Sequence, residues 1–172
     1  GSQTEGISFS VNDKLRITEK LDELGVHFIE GGWPGANPKD VTYFKKVKKL
    51  KLAASKITAF GSTRRANVDP SKDVVLNGLL VCDADIITIF CKYWDLHGLD
   101  VLKTTLEENL NMVEDSVRYL KKHGKFVIFD AEHFFDGYIA NEKYAMKVLK
   151  AAQKGGADRL VLCDTNGGTI TS

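Results

Sequence analysis

Apolar residues along this chain form two alternating patterns. Five short, mostly apolar runs are bounded by turn residues, and such runs indicate strands buried on both faces of a parallel sheet. The predicted strands are residues 26–30, 56–60, 85–90, 126–129 and 160–163. The segments before and between them carry apolar residues at helical spacing.

Each helical segment also has a start or a stop signal. The clearest is the segment with Leu106, Leu110, Val113, Val117 and Leu120, which steps by four and three residues along one helix face. The predicted starts are Ser10 with Asp13 three residues on, Asn37 before Pro38, Pro70 with Ser71, Thr104 with Glu107, and Asn141. Gly25, Gly124 and Gly155 with Gly156 are the predicted stops.

The alternation predicts repeated right-handed βαβ units in one α/β domain. Successive strand starts lie about 30 to 40 residues apart, which fits either a doubly wound sheet or part of an eight-stranded barrel. No linker or low-complexity segment marks a second domain. The chain opens on a helix and stops just after a strand, so we expect both ends to be cut from a larger repeat.

Composition narrows the function classes. The 172 residues carry a formal net charge of +1, with basic residues spread along the chain, which argues against binding to nucleic acid or an anionic membrane. No apolar run reaches the roughly 20 residues of a membrane helix, and the first residues do not resemble a signal peptide. Cys82, Cys91 and Cys163 form no CxxC pair and are expected to be reduced thiols of a cytoplasmic protein.

Polar side chains gather where each predicted strand ends. In parallel α/β folds these carboxyl ends share one face, and the chemistry is found there. In chain order, the first strand ends at Glu30, and the second at Gly61, which is followed by Arg64 and Arg65. The third strand is followed by Cys91 and His97, the fourth by Asp130 and Glu132, and the fifth by Asp164 and Thr165. Together they predict the rim of an active site.

The individual candidates each have two interpretations. Asp130 and Glu132 alternate by two, so both leave one face of their strand, as suits metal binding or proton transfer, although Asp130 could instead be a structural hydrogen-bond acceptor. Glu30 is either a site residue or a helix cap or ion-pair partner. Arg64 either binds a carboxylate or phosphate, or makes salt bridges at the rim. His97 is either a ligand or a solvated loop residue.

The glycine pairs do not indicate a nucleotide site. Neither Gly31-Gly32 nor Gly167-Gly168 belongs to a GxGxxG motif or to a phosphate-binding loop with Lys and Ser or Thr. A Rossmann-type dinucleotide site is therefore excluded.

Several of these motifs together resemble the citramalate group of the isopropylmalate/homocitrate synthase family. The resemblance runs in order through essentially the whole chain, and the stretch 130–138, Asp-Ala-Glu-His-Phe-Phe-Asp-Gly-Tyr, is its most specific part. The other matching stretches are residues 1–10, 29–35, 61–65, 94–97 and 162–168.

The resemblance implies a partial (β/α)8 TIM barrel over residues 1–172, comprising strands two to six with helices outside. The first, seventh and eighth strands would lie outside this chain. The family condenses acetyl-CoA with a 2-oxo acid, using a divalent metal (Mg, Mn or Zn). For this chain the implied reaction joins pyruvate and acetyl-CoA into citramalate, in the isoleucine branch of amino-acid biosynthesis, with the complete enzyme a cytoplasmic homodimer.

The resemblance also implies roles for matched residues. Glu132 resembles the family's catalytic glutamate, and Thr165 resembles a threonine that binds the carboxylate of the oxo acid. Gln3, Glu30, Arg64, His97 and Asp130 are the other expected substrate-binding residues. The family's metal ligands fall on strands one and seven, so no ligand is expected within this chain, and the 172 residues alone are expected to be inactive.

Three alternatives stay open. The same fold could serve 2-isopropylmalate or homocitrate synthesis, or a lyase of the hydroxymethylglutaryl type. A non-enzyme alternative is an inert or binding α/β module. The motif with Trp33, and that with Phe134 and Phe135, favour the citramalate group.

Overall fold

The computed structural model describes residues 5–35, 37–92 and 104–170. Helices and strands alternate through this part of the chain, starting with a helix, as the sequence predicts. The elements are α1 (Val11–Glu23), β1 (Phe28–Glu30), α2 (Pro38–Val47), β2 (Lys56–Ser62), a 3₁₀ turn (Pro70–Lys72), α3 (Val74–Val81), β3 (Ile86–Lys92), α4 (Leu106–Lys122), β4 (Phe126–Glu132), α5 (Phe134–Gly155) and β5 (Arg159–Leu162).

The five strands form one parallel sheet in the order β1-β2-β3-β4-β5. Each strand therefore pairs with its neighbour in sequence, and no strand order reverses as it does in a doubly wound sheet. This order confirms the prediction of a partial barrel over that of a doubly wound fold.

Contacts across the inner face show that the sheet is curled. Neighbouring strands lie roughly 4.8 Å apart, so in a flat sheet β1 and β4 would be about 14 Å apart. Instead the rings of Phe28 on β1 and Phe126 on β4 stack at 6.2 Å. The guanidinium of Arg159 on β5 lies 5.7 Å from the centre of the same Phe28 ring. The described strands thus form a curled half-barrel.

Alternate residues of β4 lie in two environments, whereas all four residues of the edge strand β5 are exposed, so the predicted burial of that strand is not seen in the described part of the chain. Val127, Phe129 and Ala131 of β4 are fully buried beneath the helices. Their neighbours Asp130 and Glu132 face the concave side and are half-buried. The helices that cover the convex face contribute Tyr43, Phe44, Leu76, Leu79, Val113, Val117, Leu120 and Val148 to the core.

Some helix starts differ from the sequence prediction. The hydroxyl of Thr105, not Thr104, accepts the Glu108 amide and caps α4. Pro70 opens only the 3₁₀ turn, and α3 is capped by the fully buried Asp73. In both places a residue one to three positions further along the chain, with the preferred cap chemistry, makes the bond, because the incoming backbone decides which side chain reaches the free amides.

The last helix starts before Asn141, at Phe134. Asn141 still caps, since its side-chain oxygen accepts the Tyr144 amide at 3.1 Å, and its φ of −155° breaks the helix at that point. The predicted start is thus a kink between two helical segments. Among the described residues, no helix has the length and apolar character to cross a membrane.

Candidate active site

A cleft of about 730 Å³ opens on the concave face at the carboxyl ends of the strands. The curl of the sheet brings β1 towards β4, so residues far apart in sequence share this cleft. Its polar lining includes Lys14, Glu30, Asp40, Asp130 and Glu132, and its aromatic lining is Phe9, Trp33, Phe60 and Phe90.

Three carboxyl groups meet across the cleft. Partial burial, the charges of Glu30 and Glu132, and a hydrogen bond with Glu30 raise the pKa of Asp130 to about 7. Burial and the charge of Glu132 also raise the pKa of Glu30, while its hydrogen bond with Asp130 acts in the opposite direction. Asp130 is therefore the protonated donor of this pair, Glu30 is the acceptor, and the cluster favours a proton or a cation.

The cysteine beside these carboxyl groups is held as a thiol. Desolvation, with the charges of Asp130, Glu132 and Glu30, raises the pKa of Cys163 to about 11. Burial likewise raises the pKa of Cys91 on the helix side of β3, and Cys82 is also a free thiol with a raised pKa. None of the three is poised as a thiolate nucleophile at neutral pH, and all three are free thiols, as the sequence predicts.

An aromatic group forms one wall of the cleft next to the carboxyl groups. The rings of Phe60 and Phe90 stack with 5.1 Å between their centres. The indole of Trp33 meets both edge-on, at 6.4 Å from Phe60 and 6.0 Å from Phe90. The three rings interlock, so the space beside Asp130 has a stiff apolar boundary.

The backbone that carries Trp33 is held by a buried ion pair. The Lys14 ammonium donates to the Asp40 carboxylate at 2.5 Å and to the Gly31 carbonyl at 2.6 Å. The other oxygen of Asp40 accepts the Trp33 amide at 3.0 Å. α1 and α2 together thus anchor the segment that directly follows Glu30.

Thr165 lies on the rim at the end of β5. Its hydroxyl accepts the amide of His133 at 2.8 Å, and His133 has a left-handed backbone with φ of 55°. Asp136 accepts a hydrogen bond from the Asn166 side chain at 2.8 Å. Because the backbone amide of His133 is the donor in the bond to Thr165, the proton of the Thr165 hydroxyl is available for another acceptor.

The structure does not bring Arg64 into the cleft. Its guanidinium is buried against α4, where it pairs with Glu108 at 2.6 Å and Asp115 at 2.9 Å. The expected substrate contact is thus replaced by the salt-bridge alternative, because the chain after β2 turns outward and its amide at Arg64 is bound by Ser116. Arg65 pairs similarly with the buried Asp73.

The described part of the chain contains no group of three Asp, Glu, His or Cys residues placed to hold a metal ion. The carboxyl cluster supplies negative charge towards the cleft but not a complete ligand set.

The sequence-predicted site residues divide into three groups. The structure brings Glu30, Asp130 and Glu132 together and places Thr165 on the same rim, while Gln3 and His97 lie outside the described residues. The roles of these residues stay predictions. Lys14 and Asp40 were missed, because a lysine on an amphipathic helix and an aspartate in a first helical turn have ordinary surface explanations.

Comparisons with known proteins give the family. The HMGL-like family model matches residues 1–171. The chain belongs to the HMGL-like family. The (R)-citramalate synthases of Aquifex aeolicus and Geobacter sulfurreducens are 61% and 59% identical over 170 residues, covering 99% of this chain and 32% of each relative. The chain thus spans about a third of the length of these curated relatives.

More distant similarity lies within the same group of folds. Homocitrate synthase from Methanothermobacter thermautotrophicus is 35% identical over 97% of this chain and 40% of the relative. A hydroxymethylglutaryl-CoA lyase from Acinetobacter baumannii, solved with coenzyme A and 3-methylmalate, superimposes with a TM-score of 0.73 at 17% identity, covering 99% of this chain and 55% of that one. This likeness confirms the barrel fold.

Proposed function

We propose that this chain is the central part of a synthase that condenses acetyl-CoA with pyruvate to form citramalate, within isoleucine biosynthesis. The observation that carries the proposal is the identity to (R)-citramalate synthases along nearly the whole chain. Homocitrate and 2-isopropylmalate synthases match at 35% and 33% identity, which favours the citramalate reaction over these alternatives.

The cleft itself supports a small acceptor. The interlocked rings of Trp33, Phe60 and Phe90 occupy the space next to the carboxyl groups. Pyruvate carries only a methyl group beyond its keto carbon, whereas the acceptors of the alternative synthases carry branched or charged chains. A stiff aromatic wall fits the methyl group and opposes the larger substituents.

The polar residues fit a condensation of this type. A base removes a proton from the methyl group of acetyl-CoA, and the resulting enolate carbon forms a bond to the keto carbon of pyruvate. The π pair of the keto group moves to its oxygen, which takes up a proton and becomes the hydroxyl group of the product. Water then cleaves the thioester, releasing coenzyme A and leaving citramalate. We assign Glu132 to proton transfer, or to orienting the base, since it is the carboxyl group nearest the end of β4.

The neighbouring residues position the acceptor. Asp130, with a pKa of about 7, donates its one proton to Glu30 at neutral pH, so the remaining oxygens of the pair are hydrogen-bond acceptors. The free proton of the Thr165 hydroxyl is suited to the substrate carboxylate. Gln3 and His97 remain proposed substrate contacts, whereas we assign Arg64 to the α4 ion pairs.

A divalent cation would polarise the keto group of the acceptor when bound. The chemistry of the described residues fits its neighbourhood, because a cluster of carboxyl groups with raised pKa values gains from nearby positive charge. Glu30 and Asp130 would face this ion, and we assign its direct ligands to strands outside this chain. We further propose that residues 1–172 form strands two to six of an eight-stranded domain, and that the complete enzyme is cytoplasmic and homodimeric.

The proposal is tested by assaying the full-length protein that contains this chain. Purified protein with Mg²⁺ or Mn²⁺, acetyl-CoA and one 2-oxo acid is followed by release of the coenzyme A thiol. Pyruvate should give the highest kcat/KM, with citramalate as the product. Preference for 2-oxoisovalerate or 2-oxoglutarate would assign one of the alternative synthases. If no 2-oxo acid leads to release of the coenzyme A thiol, the condensation reaction is refuted.

A further inference from the structure

The segment between β1 and α2 runs unusually close to helix α2. A Cβ atom on Gly31 would lie 2.6 Å from Tyr43 Cε1 and 2.8 Å from Phe44 Cζ. A Cβ atom on Gly32, which has φ of 121°, would lie 2.5 Å from the Asp40 carboxylate. Both distances are below normal carbon contacts, so the two glycines let the backbone reach Asp40.

Asp40 ties this backbone to α1. Its side chain is only 10% exposed and that of Lys14 is 18% exposed, so the pair is largely shielded from water. The carboxylate accepts both the Lys14 ammonium and the Trp33 amide, while the ammonium also binds the Gly31 carbonyl. Three bonds therefore fix the two backbone groups on either side of Gly32.

A buried hydroxyl pair places the Tyr43 ring beside Lys14. Thr18 donates its only proton to the Lys14 carbonyl, so the Tyr43 hydroxyl is the donor in its 2.6 Å bond to Thr18. The Lys14 ammonium lies 4.7 Å from the centre of the Tyr43 ring, within range of a cation–π contact. The Tyr43 ring thus lies against the Lys14 ammonium, which points at the segment after β1.

We propose that Lys14 and Asp40 are a pair of positioning residues that hold Trp33 as the wall of the acceptor pocket and thereby set the size of the accepted 2-oxo acid. The same segment is also held on the sheet side, where the Gly32 carbonyl accepts the Phe60 amide at 3.0 Å, and at the start of α2, where the Trp33 carbonyl accepts the Asn37 amide at 3.2 Å. The inference rests on the proposed function for its kinetic test. Its structural part, the restraint of Trp33, is independent of the reaction.

The consequence concerns selectivity more than rate. A rigid apolar wall discriminates against one additional methylene group by roughly 10- to 200-fold. When the wall is free to move, the pocket accommodates the longer acceptor and this factor shrinks. Loss of the ion pair should therefore reduce the preference for pyruvate over 2-oxobutyrate, which differs by one methylene group.

The kinetic test uses the full-length protein with Asp40→Asn and Lys14→Met, which preserve approximate size and remove one charge each. We expect the ratio of kcat/KM for pyruvate to that for 2-oxobutyrate to fall about tenfold in both. Asp22→Asn is the matched control, because Asp22 also binds three loop amides, Ala53 to Ser55, but at the amino ends of the strands. Its ratio should equal that of the wild type.

A second readout needs no activity. The chain has two tryptophans, Trp33 and Trp94, and 5-fluorotryptophan labelling gives each a ¹⁹F resonance, assigned with Trp33→Phe. The Trp33 resonance should shift or broaden in the Asp40 and Lys14 variants and stay unchanged in Asp22→Asn. The double variant Lys14→Met/Asp40→Asn, which leaves no unpaired buried charge, is measured if a single variant does not fold.

The outcomes separate the two proposals. An unchanged Trp33 resonance in the folded variants refutes the restraint of Trp33 by the pair. A shifted resonance with an unchanged acceptor ratio refutes the control of acceptor size. Absence of condensation with any acceptor refutes the proposed function alone, and the ¹⁹F signal then decides whether the pair restrains Trp33.

Discussion

Replacement of Asp130 by Asn should stabilise the protein, and more so at alkaline pH. In the folded state its pKa is about 7, raised by burial and by the neighbouring Glu30 and Glu132, whereas an Asp in an unfolded chain titrates near 4. Between these values the folded state binds the additional proton, so stability falls as the pH rises from about 4 to about 7. Asn has no proton to lose and removes this penalty.

The magnitude follows from the difference between the two pKa values. Each tenfold change in proton affinity corresponds to about 1.4 kcal/mol, which gives a ceiling of about 4 kcal/mol at pH 8. The side chain is only half-buried, so solvent screening reduces the expected gain to about 1–2 kcal/mol. At pH 5 the gain should be about a third as large, because most folded molecules still hold the proton.

Urea unfolding at pH 5 and pH 8, with a chelator present, measures this difference for the wild type and Asp130→Asn. Asp22→Asn is the control, and it should change the free energy of unfolding in the opposite direction. Three backbone amides lower the pKa of Asp22 to about 2, so its stabilising effect is present above pH 4 and is lost as the pH falls towards 2. Equal stability of the wild type and Asp130→Asn at pH 8 would show that the carboxyl cluster does not repel the charge of Asp130.

Three further substitutions test the site and its support. Glu132→Gln in the full-length protein should lower kcat by roughly 10²–10⁴-fold with an unchanged thermal melt, and near-normal turnover would make Glu132 a structural residue. Arg64→Met leaves Glu108 without its partner and should cost about 2–4 kcal/mol in urea unfolding, while the KM for the oxo acid stays constant; a raised KM would return Arg64 to the site. Gly155→Ala places a Cβ 2.7 Å from the Glu114 carbonyl and should cost about 1–3 kcal/mol by the same measurement, and an unchanged midpoint would contradict that close packing.

The candidate site shows which kinds of residue a sequence can indicate. Asp130 and Glu132 were predictable because a period of two after an apolar run puts both on one face of a strand. Their meeting with Glu30 was not predictable from spacing, since it depends on how far the sheet curls between β1 and β4. Arg64 had two chemically reasonable partners, and only the path of the chain after β2 decided for Glu108 and Asp115.

The sequence by itself determined the βα alternation, the parallel sheet and the end of the sheet where polar chemistry collects, because buried strands and amphipathic helices have different apolar periods. The tertiary structure alone decided the pKa of Asp130 and the anchoring of Trp33 by Lys14 and Asp40. Both depend on distances between elements that are remote in the chain, and on the exclusion of water between them. Local sequence patterns contain neither quantity.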